Sequence, residues 1–288
     1  MLKFRAVSFP LLMGLLGVIF FSPMHVGVWV FTFCAILVVG IAAYECARMV
    51  NSGLVPAFPK TAGVLAAGFV GVTLALLLFA DQYSIFARAW MVLVTICALL
   101  PWVVTVFGGA ESAKKGFATV AAVLATIVPF GMVAVLYTPN PKYLFFVIMV
   151  TKAMDTGGYV FGMLSNKWMP GGNHKLCPSI SPKKSWEGFA GGVLLAVVTA
   201  WALRAIFPEW DFSHHLGKFA WWKEIVLAVL LALASICGDL TESALKRKCG
   251  VKDSGTLIPG MGGPLDVLDS FIYVGPVCLI FSEIVRRF

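Results

Sequence analysis

Nine apolar runs divide this chain: Ser8–Ser22, Val26–Tyr44, Thr61–Phe79, Ala89–Gly108, Phe117–Tyr137, Tyr143–Gly162, Phe189–Phe207, Glu224–Leu240 and Leu265–Val285. Crossing hydrocarbon takes about 20 apolar residues, and all but the first run come close to that length. Inside a bilayer each backbone amide must be bonded without help from water, so runs of this kind fold as helices or as closed barrels. Period-two alternation is absent, which argues against a barrel. Charged residues make up 12% of the chain, against about 25% in a soluble domain. The expected fold is all-α: a polytopic transmembrane helix bundle of about nine spans, with a polar cavity facing the cytoplasm.

Lys3 and Arg5 precede the first run as in a signal peptide, but FFSPMH at its end lacks the small residues of a cleavage site. The run is read as a retained helix. With the N-terminus inside, fourteen of the 22 Lys and Arg fall on the inner side and six on the outer, with Lys152 and Arg204 inside spans. Basic loops stay in the cytoplasm, so an odd number of spans puts the C-terminus outside. The net charge of +8 is then explained by anionic lipid head groups. No basic soluble surface with interleaved aromatics exists, so nucleic acid is not an expected partner. The seven cysteines form no CxxC pair and no Cys/His cluster, which argues against zinc.

The first five runs read as scaffold, and Glu45 and Arg48 are spaced to pair on one helix face. The expected division is a scaffold over 1–140 and a catalytic region over 141–288. The character of the chain changes at Lys152 and Asp155, three apart inside a span, where each charge costs roughly 3 kcal/mol on insertion scales. Either they neutralise each other between helices, or Asp155 faces a water-filled cavity. The loop after that span carries Ser179, Ser181, Lys183, Lys184 and Ser185 on a backbone stiffened by Pro178 and Pro182. It suits a phosphate-bearing ligand as well as it suits a plain basic loop. Neither GxxxxGK[ST] nor a helix-opening GxGxxG is present.

The densest chemistry lies in CGDLTESALKRKCGVKDSGTLIPGMGGPLDVLDS, from Cys237 to Ser270. Extending the eighth span as a helix puts Asp239, Glu242, Ser243 and Lys246 on one stripe. Glycines and prolines from Gly250 to Pro264 then form a tight loop. The ninth span opens with Asp266 and Asp269, three apart on one face. Two helix ends thus aim Asp239, Asp266 and Asp269 at one point. Three carboxylates there repel unless a divalent cation joins them, and an all-oxygen set suits Mg²⁺, with a second cation as an option. Acids, bases and glycines at a cytoplasmic membrane edge point to metal-assisted phosphoryl or nucleotidyl transfer on a lipid.

These residues resemble a known family, the phosphatidate cytidylyltransferases (CDP-diacylglycerol synthases). The family signature runs Ser-x-x-Lys-Arg, four residues, Lys-Asp, then Pro-Gly-His-Gly-Gly, then Asp-Arg-x-Asp. Ser243, Lys246, Arg247, Lys252, Asp253, Pro259, Gly260, Gly262, Gly263, Asp266 and Asp269 fill it at the expected spacing. Gly238-Asp239-Leu240 ahead of it also matches, as do Asp155, Tyr159 and the run Ser181 to Gly188. Met261 stands where the signature has His, and Val267 where it has Arg.

The resemblance implies that CTP and phosphatidic acid yield CDP-diacylglycerol and pyrophosphate. It implies metal ligation by Asp239, Asp266 and Asp269, and phosphate contacts from Lys246, Arg247 and Lys252, with Asp253 beside them. Asp155, Ser181, Lys183, Lys184, Ser243, Gly260, Gly262 and Gly263 would line the substrates. A homodimer and a bacterial inner membrane are further expectations. The alternatives are a CTP-dependent polyprenol or phytol kinase, with Asp155 or Asp253 as base, and a transporter with a cytoplasmic cation site.

Overall fold

The computed structural model describes residues 14–79, 111–112, 114–133, 136–137, 140–210, 212, 216, 221–258 and 262–286. The chain is mostly helical. After a helical stretch at residues 14–21 come α1 (Met24–Gly53), α2 (Pro59–Phe79), α3 (Lys114–Val133) and α4 (Pro141–Trp168). A two-stranded hairpin, β1 (Lys175–Cys177) and β2 (Ser181–Ser185), leads into α5 (Trp186–Ile206). Then follow α6 (Trp221–Lys248), the short α7 (Pro264–Leu268), a 3₁₀ turn at Asp269–Phe271, and α8 (Val274–Arg286).

Among the described residues, six helices are long and apolar enough to cross a membrane: His25–Gly53, Lys114–Val133, Pro141–Trp168, Trp186–Ile206, Trp221–Lys248 and Pro264–Val285. Pro59–Ala75 is a shorter apolar helix. The expected span Ala89–Gly108 and the start of Ser8–Ser22 lie outside the described residues.

Two compact units result. The first contains Met1–Thr138 and Lys246–Leu268; the second contains Pro139–Leu245 and Asp269–Phe288. The stretch from Lys246 to Leu268 therefore groups with the N-terminal helices. In the first unit α1 packs on α2, and Gly40 lies against Ala67 and the Gly63 carbonyl, with too little room for a side chain. Small residues at such crossings let two backbones approach where lipid offers no hydrophobic drive. The amide of Phe58 donates to Thr119 Oγ1 at 2.8 Å, tying the start of α2 to α3.

In the second unit α4 packs on α5 by the same device. Gly157 meets Gly191 and Gly192, and Gly162 meets Gly188. Asn140 caps α4 by accepting from the Lys142 amide at 3.0 Å, with Pro141 in the first position, where its missing N–H costs nothing. Arg204, inside a span, donates to the Trp210 carbonyl at 2.7 Å and lies 3.8 Å from Glu224, so it is not left bare in hydrocarbon.

The last span is not one continuous helix. The sequence puts Asp266 and Asp269 on one helical face, but α7 ends at Leu268 and Asp269 opens a 3₁₀ turn. Pro276 accounts for where the helix resumes. It has no N–H to give to the Ile272 carbonyl, so the helix restarts at Val274, where a proline in the first turn is tolerated.

Two candidate functional clusters

The first cluster belongs to the second unit and is built around Asp269. Gly238 of α6 faces the backbone carbonyl of Asp269, and a Cβ there would collide with it. That close approach sets Asp239, the next residue on α6, beside the 3₁₀ turn. Asp269 lies in the field of the Asp239 and Asp155 carboxylates and of the Lys152 ammonium. Lys152 Nζ donates to Asp155 Oδ2 at 2.9 Å, so the i,i+3 pair forms, with the two side chains 38% and 34% exposed.

The pair does not stand alone. Ser235 Oγ donates to Asp155 Oδ1, and Ser270 Oγ lies 2.8 Å from Asp155 Oδ2 and 3.0 Å from Asp269 Oδ1. The Ser270 amide donates to Asp269 Oδ1 at 2.6 Å. One hydroxyl thus links the two acids, and Asp155 is already surrounded by three donors.

The hairpin reaches this cluster through Lys184. Its Nζ lies 2.9 Å from Asp239 Oδ2, and Ser243 Oγ donates to Asp239 Oδ1 at 3.2 Å. Asp239 and Ser243 thus meet along the predicted stripe, while Glu242 is buried. Ser181 is half-buried and Lys183 exposed on β2. Ser185 caps α5 by accepting from the Gly188 amide at 3.1 Å. Glu187 accepts from the His174 amide, and its Oε1 lies 2.6 Å from His174 Nδ1, which closes the hairpin's base.

The second cluster belongs to the first unit. At the end of α6 the Gly250 amide donates to the Arg247 carbonyl and the Val251 amide to that of Lys246. Gly250 has φ +71, the left-handed stop that glycine supplies to a helix end. Lys246 Nζ donates to Asp266 Oδ1 at 2.8 Å. The Ser254 amide and hydroxyl and the Gly263 amide also donate to Asp266. Gly262 has φ +95, and a Cβ there would strike Asp266. Asp266, expected as a metal ligand, thus has both oxygens engaged by loop and lysine. Arg247, Lys252 and Asp253 are exposed. Gly260 and Met261 lie outside the described residues.

Sequence reasoning assigned Glu45 to a pair with Arg48 and missed its partners in the loop. Glu45 is 4% exposed. Its hydrogen bonds go to the Leu265 amide and Ser254 Oγ rather than to Arg48. It also missed Ser235 and Ser270. An acid in an apolar run was the one signal for Glu45; two serines carried none.

No cage of three or more acids, histidines or cysteines is arranged for a metal among the described residues. The fit to Mg²⁺ is nonetheless a chemical one. That ion takes one or two carboxylates and completes its shell with water and substrate phosphates. Asp239 and Asp269, two nearby acids, match that demand: Asp239 is 35% exposed, so its contacts with Lys184 and Ser243 are open to exchange, and the like charges around Asp269 favour a cation.

Known proteins resemble part of the chain. A stretch of 135 residues, 47% of this chain, is 39% identical to a phosphatidate cytidylyltransferase of Staphylococcus saprophyticus, covering 46% of that protein. Over 171 residues, 57% of this chain, it is 39% identical to a phosphatidate cytidylyltransferase of Mycobacterium bovis, covering 51% of it. The chain thus spans about half the length of these relatives. The family described as the cytidylyltransferase family matches residues 7–285, and with nearly its whole length matched, this chain belongs to that family.

Proposed function

We propose that the chain is a membrane-embedded phosphatidate cytidylyltransferase, making CDP-diacylglycerol and pyrophosphate from CTP and phosphatidic acid. The acid cluster carries this reading: Asp155, Asp239 and Asp269 stand against Lys152 and Lys184, a surplus of one negative charge at a depth where charge is costly. Relatives named phosphatidate cytidylyltransferase support the choice of substrates.

In the proposed reaction a lipid phosphate oxygen attacks the α-phosphorus of CTP in line. A new P–O bond forms there. The bond from that phosphorus to the oxygen bridging toward the β-phosphorus breaks, and pyrophosphate departs with the electron pair. The nucleophile is already an anion, so no strong base is needed, and catalysis rests on positioning and charge stabilisation. A bound Mg²⁺ would supply Lewis-acid neutralisation of the CTP phosphates. Asp239 and Asp269 are the proposed ligands. Asp266, the third expected ligand, acts in this proposal through Lys246. Lys246, Arg247 and Lys252 take the lipid phosphate or the leaving pyrophosphate. Ser181, Lys183 and Lys184 take the phosphates of CTP, while Asp155 holds Lys152 and Ser270 in place.

The wider arrangement proposed is nine spans with the N-terminus and a polar cavity in the cytoplasm, in a bacterial inner (cell) membrane, the relatives being proteins of bacteria. A scaffold over 1–140, a catalytic region over 141–288 and a homodimer complete it. A coupled assay for pyrophosphate tests the reaction: release requiring CTP, phosphatidic acid and Mg²⁺ together is expected. Orthophosphate, or release without lipid, would contradict it.

A further inference from the structure

Glu45 sits inside α1, an apolar helix, yet its carboxylate is almost completely buried. Its Oε2 accepts from the Leu265 amide at 3.1 Å. Leu265 is the second residue of α7, where an amide has no partner within its own helix. A side chain from a helix 220 residues away in sequence therefore caps α7. Gly255 and Gly263 form the slot: a Cβ on either would collide with the Glu45 carboxylate. Two of the loop's glycines are thus accounted for by the passage of one acid.

The contacts continue from there. Ser254 Oγ lies 3.3 Å from Glu45 Oε2 and 2.8 Å from Asp266 Oδ2. Asp266 in turn holds Lys246 at 2.8 Å. All four residues belong to the first unit. Lys252 and Asp253 stand immediately before Ser254, exposed. Burial of a carboxylate is tolerated only where hydrogen bonds replace water, and among the described residues Glu45 takes its hydrogen bonds from Ser254 and Leu265, both in the 254–266 segment.

We propose that Glu45 is a positioning residue for the transfer reaction: it fixes the 254–266 loop so that Lys246, Lys252 and Asp253 are presented in one geometry. The proposal rests on the cytidylyl-transfer reading. Glu45 itself touches no reactant in it.

Cys249 reports on the loop independently of activity. It is 6% exposed, burial pushes its thiol pKa up, and its backbone packs on Gly53. The experiment compares wild type, Glu45→Ala and Glu45→Gln as full-length protein. It reads kcat, KM for CTP, and maleimide labelling of Cys249 located by mass spectrometry. Glu45→Ala is expected to lower kcat about tenfold or more while KM shifts less than about threefold, the pattern of lost transition-state stabilisation. Cys249 should label about tenfold faster. Glu45→Gln keeps an oxygen that can accept from Leu265 and should retain a kcat at least about threefold above that of Glu45→Ala.

If Glu45→Ala cannot be purified, Ser254→Ala cuts the same chain of contacts and should lower kcat with KM held. Several results would overturn the proposal: Glu45→Ala kcat within about twofold of wild type, Glu45→Gln as impaired as Glu45→Ala, a rise in KM alone, or unchanged Cys249 labelling. Should wild type form no CDP-diacylglycerol, the transfer reading fails, and Cys249 labelling still decides whether Glu45 holds the loop.

Discussion

Lys184 Nζ lies 2.9 Å from Asp239 Oδ2, an ion pair that ties the hairpin to the acid cluster. The lysine is 18% exposed and the aspartate 35%. Such a partly open pair adds little to stability, about 1 kcal/mol or less. Its value is chemical: in the proposed reaction the lysine neutralises a carboxylate until substrate phosphates arrive to take it.

Lys184→Met should therefore separate catalysis from folding. We expect kcat/KM for CTP to fall about tenfold to a hundredfold, the scale of one lost charge-assisted contact, with the melting temperature nearly unchanged. Steady-state kinetics beside a thermal melt checks this. Unaltered kinetics would remove Lys184 from the site.

Asp269 and Asp266 should respond differently to the same change. Asp269→Asn should abolish turnover, and Asp239→Asn should raise the Mg²⁺ concentration needed for half-maximal rate. Asp266→Asn weakens the hold on Lys246 and should lower kcat while leaving that Mg²⁺ requirement in place. Titrating Mg²⁺ against activity for the three variants distinguishes a ligand from an anchor.

Gly238→Ala tests the close approach that sets Asp239 beside Asp269. The added methyl meets the Asp269 carbonyl, a backbone atom that cannot swing away, so about 1–3 kcal/mol of stability should go. Gly158→Ala is the control, since its methyl would meet nothing closer than 3.8 Å. A melt showing the two variants alike would refute the packing argument.

Met261 replaces the histidine of the family signature. If the lipid phosphate is the nucleophile, no proton donor is required at that position. Met261→His should change kcat by less than about threefold. A tenfold gain would show that a protonatable side chain is useful there after all.

The helices were legible because hydrocarbon imposes a length and a composition on every span. Val26–Tyr44, Thr61–Phe79, Tyr143–Gly162 and Glu224–Leu240 each fall within an observed helix, while Phe117–Tyr137 and Phe189–Phe207 run past helices that end at Val133 and Ile206. The Lys152–Asp155 pair was legible too, because i,i+3 spacing is local. What spacing could not supply was partners far along the chain. Ser254 is 209 residues from Glu45, and Ser270 is 115 from Asp155. Pairing over such distances depends on tertiary packing, and a lone serine leaves no trace in a hydropathy pattern. The restart at Val274 was written in Pro276, but a proline at that point is equally consistent with a kinked continuous span.

The most direct test of the account follows the cytidine. Purified protein is incubated with Mg²⁺, phosphatidic acid and CTP labelled in the cytosine ring. Label is expected in the lipid fraction as CDP-diacylglycerol, with one pyrophosphate for each molecule formed. Label left in water as CDP, beside a newly phosphorylated lipid alcohol, would contradict it.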